Sequence, residues 1–470
     1  MAQVSNTIYD VLVVGSGLSG VHATYPLVEA GLRVAMIDGG LDANKRDGVE
    51  KAPRVIGAKS NALDILMKGS FAFNKTYELL SVKSNIEIIQ TLAKGGLSEF
   101  WHGLSDFLTD DELVQAGLSP DQIKEEYKVV SKLVNLDTSP ELDVHGKLLL
   151  KRSPHGVYRL PVTYPYRTSE VVNKLKHHRN FTYLPGQLVL TVKERNRMVE
   201  VGIRPIQPDS NPRQLLHGRT KSVRGKYVVL AAGAINTTRI LLRSKNLYNH
   251  KTTFLTKNHS MIVCFHPQVF FKSGEKVLIN PGQLGIISND LGQKLGAFVQ
   301  LYRANPFMLS SAVQYVPLPR PIATMLLSLF MPSLVIADVR FPAFETKNKF
   351  CQLRREKNGG DILEIAFRLT QKEVKTQRRE LEVVSKTLRS IGLFPLKVVS
   401  DPVTSHYGGG VPIGGRGKLA TDINGRLKKS KRIYVADSST WRALPGKPLA
   451  LTMMANASRI AKEVLKKLRK

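Results

Sequence analysis

Three glycines and an aspartate near the start of the chain have the types and spacing to do chemistry. Gly15, Gly17 and Gly20 form G-x-G-x-x-G directly after the apolar run Ile8–Val14. In that spacing the first glycine makes a tight turn and the second lets the backbone approach a pyrophosphate. The third lets a helix pack closely on the strand. Leu18 and Ser19 open that helix, whose N-terminal N–H groups and positive dipole end face the phosphates. Asp38 closes the next apolar run, Arg33–Ile37, 23 residues after Gly15. A carboxylate there can accept a hydrogen bond from a ribose hydroxyl. Strand, turn, helix, strand and acid in this order specify a dinucleotide site without saying which dinucleotide. A second candidate is His406, on the glycine-rich loop HYGGGVPIG. Its ordinary pKa of ~6.5 suits an imidazole to taking a proton near neutral pH.

These groups need a scaffold, and the chain is long enough to build one. Its 470 residues are two to four domains' worth at ~100–200 residues each. Val, Ile, Leu and Phe are spread along the whole length, which argues against intrinsic disorder. Two cysteines, Cys264 and Cys351, can build neither a disulfide framework nor a four-thiolate metal site, and no metal site is expected. The opening MAQVSNTIYD lacks the basic start and apolar run of a secretory signal, so a reducing, cytoplasmic setting is expected. The 69 Lys and Arg against 38 Asp and Glu give a formal charge of +31. Such a field attracts phosphates on nucleic acid, lipid or substrate. There is no zinc-finger spacing and no aromatic RNA-binding signature, and the basic residues are dispersed, so nucleic acid is set aside. A plain solvated surface and an anionic membrane surface remain.

Further segments bear on the dinucleotide's identity. Thr91–Gly103, TLAKGGLSEFWHG, has a Gly-Gly-x-Ser core followed by an aromatic. Tyr227–Ser244 reads as apolar strand, small-residue turn and helix, and Arg432–Leu465 as strand, Asp437-Ser-Ser, loop and closing helix. With HYGGGVPIG these resemble, in order, the glucose-methanol-choline (GMC) family of flavin-dependent oxidoreductases. The resemblance covers both ends and the middle of an FAD-binding half and fades between about residues 260 and 360.

That resemblance implies FAD as cofactor and assigns residues to it. Gly95, Gly96, Leu97 and Ser98 match the segment that runs beside the flavin. Val189, in LPGQLVLTV, matches the position whose backbone faces the adenine, and Ala232 and Gly233 match the turn near the ADP half. Asp437 and Ser438 match the Asp-x-Ser that contacts the pyrophosphate and ribityl chain. Thr452 and Met453 match the N-terminus of the last helix, where N–H groups can stabilise negative charge on the reduced flavin. His406 matches the histidine that takes the proton from a substrate hydroxyl while hydride passes to the flavin. The implied reaction is oxidation of an alcohol, with a sugar, polyol or lipid-linked alcohol as substrate and oxygen, a quinone or a protein as electron acceptor.

The sequence also departs from the family pattern. A second His or Asn is expected a few residues before Thr452, but the segment reads LPGKPLALTMMANA. Lys447, Pro448 or Leu449 stands there, and Lys447 is the one able to donate a hydrogen bond to a substrate oxygen. The glycine loop lacks the usual Thr-Cys, and the closing MMANASRI resembles members encoded near bacterial polysaccharide genes. The missing second group leaves an alternative open, a non-catalytic flavin-binding partner at a membrane. His102, one residue after Trp101, lies near a segment where some relatives tether FAD covalently; a bystander role competes with that reading.

The expected architecture is α/β. A discontinuous Rossmann-like FAD domain with a parallel sheet takes residues 1–150, 165–260 and 400–470, and an α+β substrate domain on an antiparallel sheet takes 260–400. Strands are expected at Met261–Phe265, Val269–Phe271, Gly296–Tyr302, Ser311–Tyr315 and Ile362–Phe367, and an amphipathic helix at Lys372–Ile391. The apolar stretch 321–339, PIATMLLSLFMPSLVIADV, reads as a buried segment or lid, an interfacial hairpin dipping into a membrane, or a span.

Overall fold

The computed structural model describes residues 7–46, 69–152, 156–163, 166–207, 220–270, 282–287, 296–304, 313, 316–357, 359–401 and 405–469. Ile8–Val14 is the central strand of the half that carries the first glycine turn. It pairs in parallel with Val34–Ile37 on one side and with Lys221–Leu230 on the other. Phe181–Leu184 and Ile433–Val435 extend the parallel set at its two ends. The hairpin of Gln187–Arg195 and Met198–Pro205 adds antiparallel strands against the first half of Lys221–Leu230, which makes seven in all.

These strands read as apolar runs because both faces are covered. On one face Val11 and Val13 pack with Val21 and Leu27 of helix Leu18–Glu29 and with Ile460 and Val464 of the closing helix Ala450–Leu468. On the other, Leu12, Val14 and Leu230 pack with Ile240 and Leu241 of helix Ala234–Ser244.

A six-stranded antiparallel sheet forms the second half, in the order Phe394–Asp401, His259–Phe265, Leu334–Arg340, Phe298–Arg303, Leu284–Ile287 and Val157–Arg159. Along His259–Phe265 buried and half-buried residues alternate, so the two faces do different work. Ile262 and Cys264 meet Val384 and Leu388 of helix Gln371–Ser390. That helix starts where the sequence puts it, because Thr370 and Glu373 close a reciprocal capping box. His259 and Met261, on the opposite face, look into the main cavity.

Several sequence expectations are revised. Of the strand expected at Val269–Phe271, Val269 instead ends a 3-10 turn, Pro267–Val269, which Phe270 follows, and Phe271 lies outside the described residues; Pro267 has no N–H to continue a ladder. Ser311–Tyr315 lies, apart from Val313, outside the described residues. Asp361–Phe367 is a strand, but not of the substrate sheet. It pairs with Lys349–Arg355 and Val82–Ser84 in a four-stranded sheet, and its Leu363 and Ile365 join the core of the nucleotide half. The stretch 260–400 is therefore divided between the two halves, and Val157–Arg159 joins the six-stranded sheet from outside it.

Apolar stretch 321–339 is not one segment either. It forms helix Arg320–Phe330, a 3-10 turn containing Pro332, and the central strand Leu334–Arg340. Pro332 lacks the N–H that would continue the helix, and the chain passes at Met331 into the 3-10 turn. Among the described residues no helix is long and apolar enough to cross a membrane.

Candidate active site

A single cavity of about 950 Å³ runs from the first glycine turn to the six-stranded sheet. At its nucleotide end the wall is backbone. Gly15 has φ +100°, and a Cβ there would stand 2.5 Å from the Ala231 carbonyl oxygen. A Cβ on Gly20 would stand 1.9 Å from the Gly15 oxygen, so helix and strand can approach this closely only without a side chain. Asp38 is buried beneath the turn. It accepts from the Ser16 hydroxyl (2.7 Å), the Tyr183 hydroxyl (2.9 Å) and the Gly40 N–H (3.1 Å). Burial pushes its carboxyl up, and these donors only partly oppose that. Ser16 Oγ in turn accepts from Gly95 N at 2.8 Å, which ties the Gly-Gly segment to the first turn.

Asp437 performs a similar clamp on the far wall. One carboxylate oxygen accepts from Gly233 N (3.0 Å) and Thr237 Oγ1 (2.5 Å), the other from Ser439 N (3.0 Å). Ser438 Oγ donates to the Tyr407 carbonyl at 2.6 Å and so fixes the loop carrying His406.

The other end of the cavity is polar and cationic. Lys257, His259, Gln300, Arg340, Ser405 and His406 share it. His406 is half-buried, and desolvation together with Lys257 and Arg340 holds its imidazole well below the usual range, neutral at physiological pH. Lys257 is fully buried, donating to the Gly446 and Lys447 carbonyls at 3.0 and 2.9 Å. Burial, with Arg340 nearby, pushes its ammonium well below the ordinary lysine value. Asp338 is clamped between His259 Nδ1 (2.8 Å) and Arg340 Nε (2.9 Å). Its burial favours the neutral acid, but the guanidinium and the imidazole outweigh that and hold the carboxyl well below the usual range.

Most residues singled out in the sequence meet at this one cavity. Gly15, Gly17, Leu18, Ser19, Asp38, Gly96, Leu97, Ser98, Val189, Ala232, Gly233, Asp437, Ser438, Met453 and His406 line it, as does His102. Gly20 and Gly95 act behind the wall, as packing and as a tether. Two side chains turn away. Lys447 Nζ donates to the Phe107 carbonyl at 2.9 Å and lies 3.9 and 3.8 Å from Asp106 and Glu112, so this ammonium neutralises buried carboxylates instead of reaching the cavity. Thr452 Oγ1 is hydrogen-bonded to Tyr127 OH at 2.5 Å; Pro448, Leu449 and Ala450 bring the helix start to the wall in its place. Sequence reading missed Lys257, His259, Gln300 and Arg340. A period-2 signal was present at 257, 259 and 261, but no motif marks these residues.

No protein-family model matches the chain, and no curated protein matches it. Solved structures do. Pyridoxine 4-oxidase from Mesorbium loti superposes with a TM-score of 0.64 at 14% identity, over 97% of this chain and 99% of that one. An FAD-dependent oxidoreductase from Chaetomium thermophilum, solved with a bound fragment, gives 0.63 at 13%, over 98% and 99%. The chain has their fold. The match spans the seven-stranded sheet and the antiparallel sheet together.

Proposed function

We propose that the protein is an FAD-dependent oxidoreductase of the GMC type that oxidises an alcohol, CH–OH to C=O. The observation that carries this reading is the continuity of the cavity. A glycine cradle with a buried acid lies at one end, and a neutral imidazole on the H-x-x-G loop lies at the other. The names of the two solved neighbours, an oxidase and an FAD-dependent oxidoreductase, support the same reading.

The lining fits the cofactor. Ser19 Oγ, Asn236 Oδ1 and Gln300 Oε1 are buried on the cavity wall without a partner among the described residues, as groups awaiting a polar ligand would be. Gly15 to Ser19 would take the pyrophosphate, Asp38 a ribose hydroxyl, and Leu188 and Val189 the adenine. Gly96 to Ser98 would lie beside the ring system, with the start of helix Ala450–Leu468 at its pyrimidine edge. Bound there, FAD supplies a two-electron acceptor for hydride. The chain's part is to hold the alcohol, exclude water and take the hydroxyl proton on a cavity imidazole. His406 is the imidazole that the motif designates.

The test is a visible spectrum of the purified protein, then anaerobic addition of sugars, polyols and isoprenoid alcohols. Flavin absorbance that one class bleaches is the expected result. A yellow protein that nothing bleaches would favour a non-catalytic flavin-binding role, and a colourless one that cannot be reconstituted with FAD would end the reading.

A second proposal concerns the surface: an anionic lipid face is the partner of helix Arg320–Phe330. Ile322, Met325 and Leu329 are exposed along it, with Arg320 at its start. The charge of +31 complements an anionic headgroup layer.

A further inference from the structure

The chain from 255 to 265 passes from one ladder into another. Leu255 and Thr256 pair with Gly408 and Tyr407, which brings Lys257 level with His406. Four residues further on, His259–Phe265 lies between Leu334–Arg340 and Phe394–Asp401. Alternate residues Lys257, His259 and Met261 face the cavity, as strand geometry requires. This one segment therefore delivers a second imidazole to the wall that carries the first.

The hydrogen bonding of His259 sets what it can do. An ionised carboxylate only accepts, so the 2.8 Å contact with Asp338 places the proton of a neutral His259 on Nδ1. Nε2 then presents its lone pair, and it is buried without a hydrogen-bond partner among the described residues. Asp338 is itself fixed by Arg340 at 2.9 Å. A proton arriving at Nε2 makes an imidazolium hydrogen-bonded directly to a carboxylate. At His406, desolvation together with Lys257 and Arg340 outweighs the pull of the same Asp338 and disfavours the charge. Lys257 meanwhile holds the carbonyls of Gly446 and Lys447. The segment that would carry the second His or Asn is used here as an anchor.

We infer that His259 is the second group at the reacting centre and the one that takes the substrate's hydroxyl proton, with Asp338 as its positioning residue and His406 holding the same oxygen. The inference rests on the flavin-dependent reading above. In the step, the O–H bond breaks and its proton passes to His259 Nε2. The electron pair of that bond closes the C=O, and the carbinol hydrogen leaves with its own pair as hydride to the flavin. The charged and titratable groups around His259 are Asp338 and Arg340 on the neighbouring strand, Lys257 on its own and His406 on the glycine loop. His102 lies on the cavity wall, with Arg340 near enough to lower its pKa, and Asp401 is the register partner on the other side.

The experiment uses FAD-loaded wild type, His259→Asn, His259→Gln, Asp338→Asn and His406→Asn. Asparagine at 259 keeps a donor for Asp338 and removes only the Nε2 function; glutamine is the second variant should the first fail to fold. FAD content and the visible spectrum come first, and a wild type without flavin overturns the flavin reading itself. With substrate absent, the flavin absorbance of the wild type is then titrated with pH. A spectral step lost in His259→Asn and kept in His406→Asn is expected; a step that survives at 259, or a wild type with none, overturns the assignment. With the alcohol that bleaches the wild type, His259→Asn should slow bleaching by about 10²–10⁴-fold and lose the fall in rate at acid pH. Asp338→Asn should slow it less while shifting that fall. An unchanged rate and profile in both 259 variants would also overturn it.

Discussion

The two ends of the cavity are built in opposite ways. At the nucleotide end the groups that matter are backbone: a turn at Gly15, a close approach at Gly20, and amides of Gly95 and Gly233 tied down by Ser16 and Asp437. The buried carboxylate there, Asp38, is already engaged with the chain's own donors. At the other end His259 and Arg340 stand on paired strands, with Lys257 and His406 just outside the short ladder of Leu255–Thr256 and Tyr407–Gly408, and the chemistry lies in side chains brought together by register. A backbone site is specified by local spacing and can change little without losing its shape. A side-chain site is specified by which strands pair, and its residues can be exchanged while the sheets stay as they are. On the proposed reading the first end would carry the affinity for the cofactor and the second the choice of reaction.

That contrast breaks first at the glycines. Gly20→Val puts a branched side chain where a Cβ alone would meet a carbonyl oxygen at 1.9 Å. Strand and helix must separate and the phosphate cradle opens with them, so FAD retention should fall by more than about 100-fold, the loss of several kcal/mol expected of an overpacked contact on rigid backbone. Equilibrium dialysis against FAD measures it, and a variant that stays yellow after dialysis would contradict the packing argument. His406→Ala is the matching change at the other end. It should keep stoichiometric FAD and slow anaerobic bleaching by about 10²–10⁴-fold. Unchanged bleaching would remove His406 from the reaction.

The same contrast explains what could be read before the fold was known. The turn Gly15–Gly20 and Asp38 could be singled out from their local spacing, and the Gly95–Gly96 segment and Asp437 from the resemblance. Helix Gln371–Ser390 was legible through the spacing of its apolar residues. His259 was not, because its meaning depends on Asp338, 79 residues away and on the adjacent strand. Nor was the division of 260–400. Asp361–Phe367 has a strand's pattern in either sheet, and only its pairing with Val82–Ser84 decides which. Lys447 was misread for the converse reason. Its place before the closing helix is local, whereas its partners, Phe107, Asp106 and Glu112, are distant.

Lys447 sharpens the comparison because it sits near the reacting end yet serves stability. Lys447→Met should leave bleaching within about twofold and destabilise the fold by about 3 kcal/mol, since two buried carboxylates lose their cation. Burial already raises the Asp106 and Glu112 pKa values, with Lys447 opposing. A carboxyl whose folded pKa is raised binds its proton more tightly in the fold, so it disfavours the fold as pH rises through that pKa. Removing the lysine raises both further. The deficit in urea midpoint relative to wild type should therefore be full at neutral pH and shrink as pH falls into the carboxylate range. A pH-independent deficit would mean that the lysine's packing, not its charge, is what the fold uses.

The smallest effect is expected outside the cavity. Helix Arg320–Phe330 buries Ala323 and leaves Ile322, Met325 and Leu329 outward, so charging the outward face costs the fold little. Met325→Glu with Leu329→Glu should leave FAD content, bleaching and thermal midpoint as in the wild type. It should reduce pelleting with phosphatidylserine vesicles at low salt about fivefold or more, since each apolar side chain that enters the interface contributes about 1.5–3 kcal/mol at most. Raising the salt should weaken pelleting of the wild type too, because the basic surface acts through a field that ions screen within about 10 Å at 0.1 M. Pelleting that ignores salt but not the two glutamates would assign the binding to the apolar helix face alone. Pelleting that ignores both would remove the lipid surface from this helix.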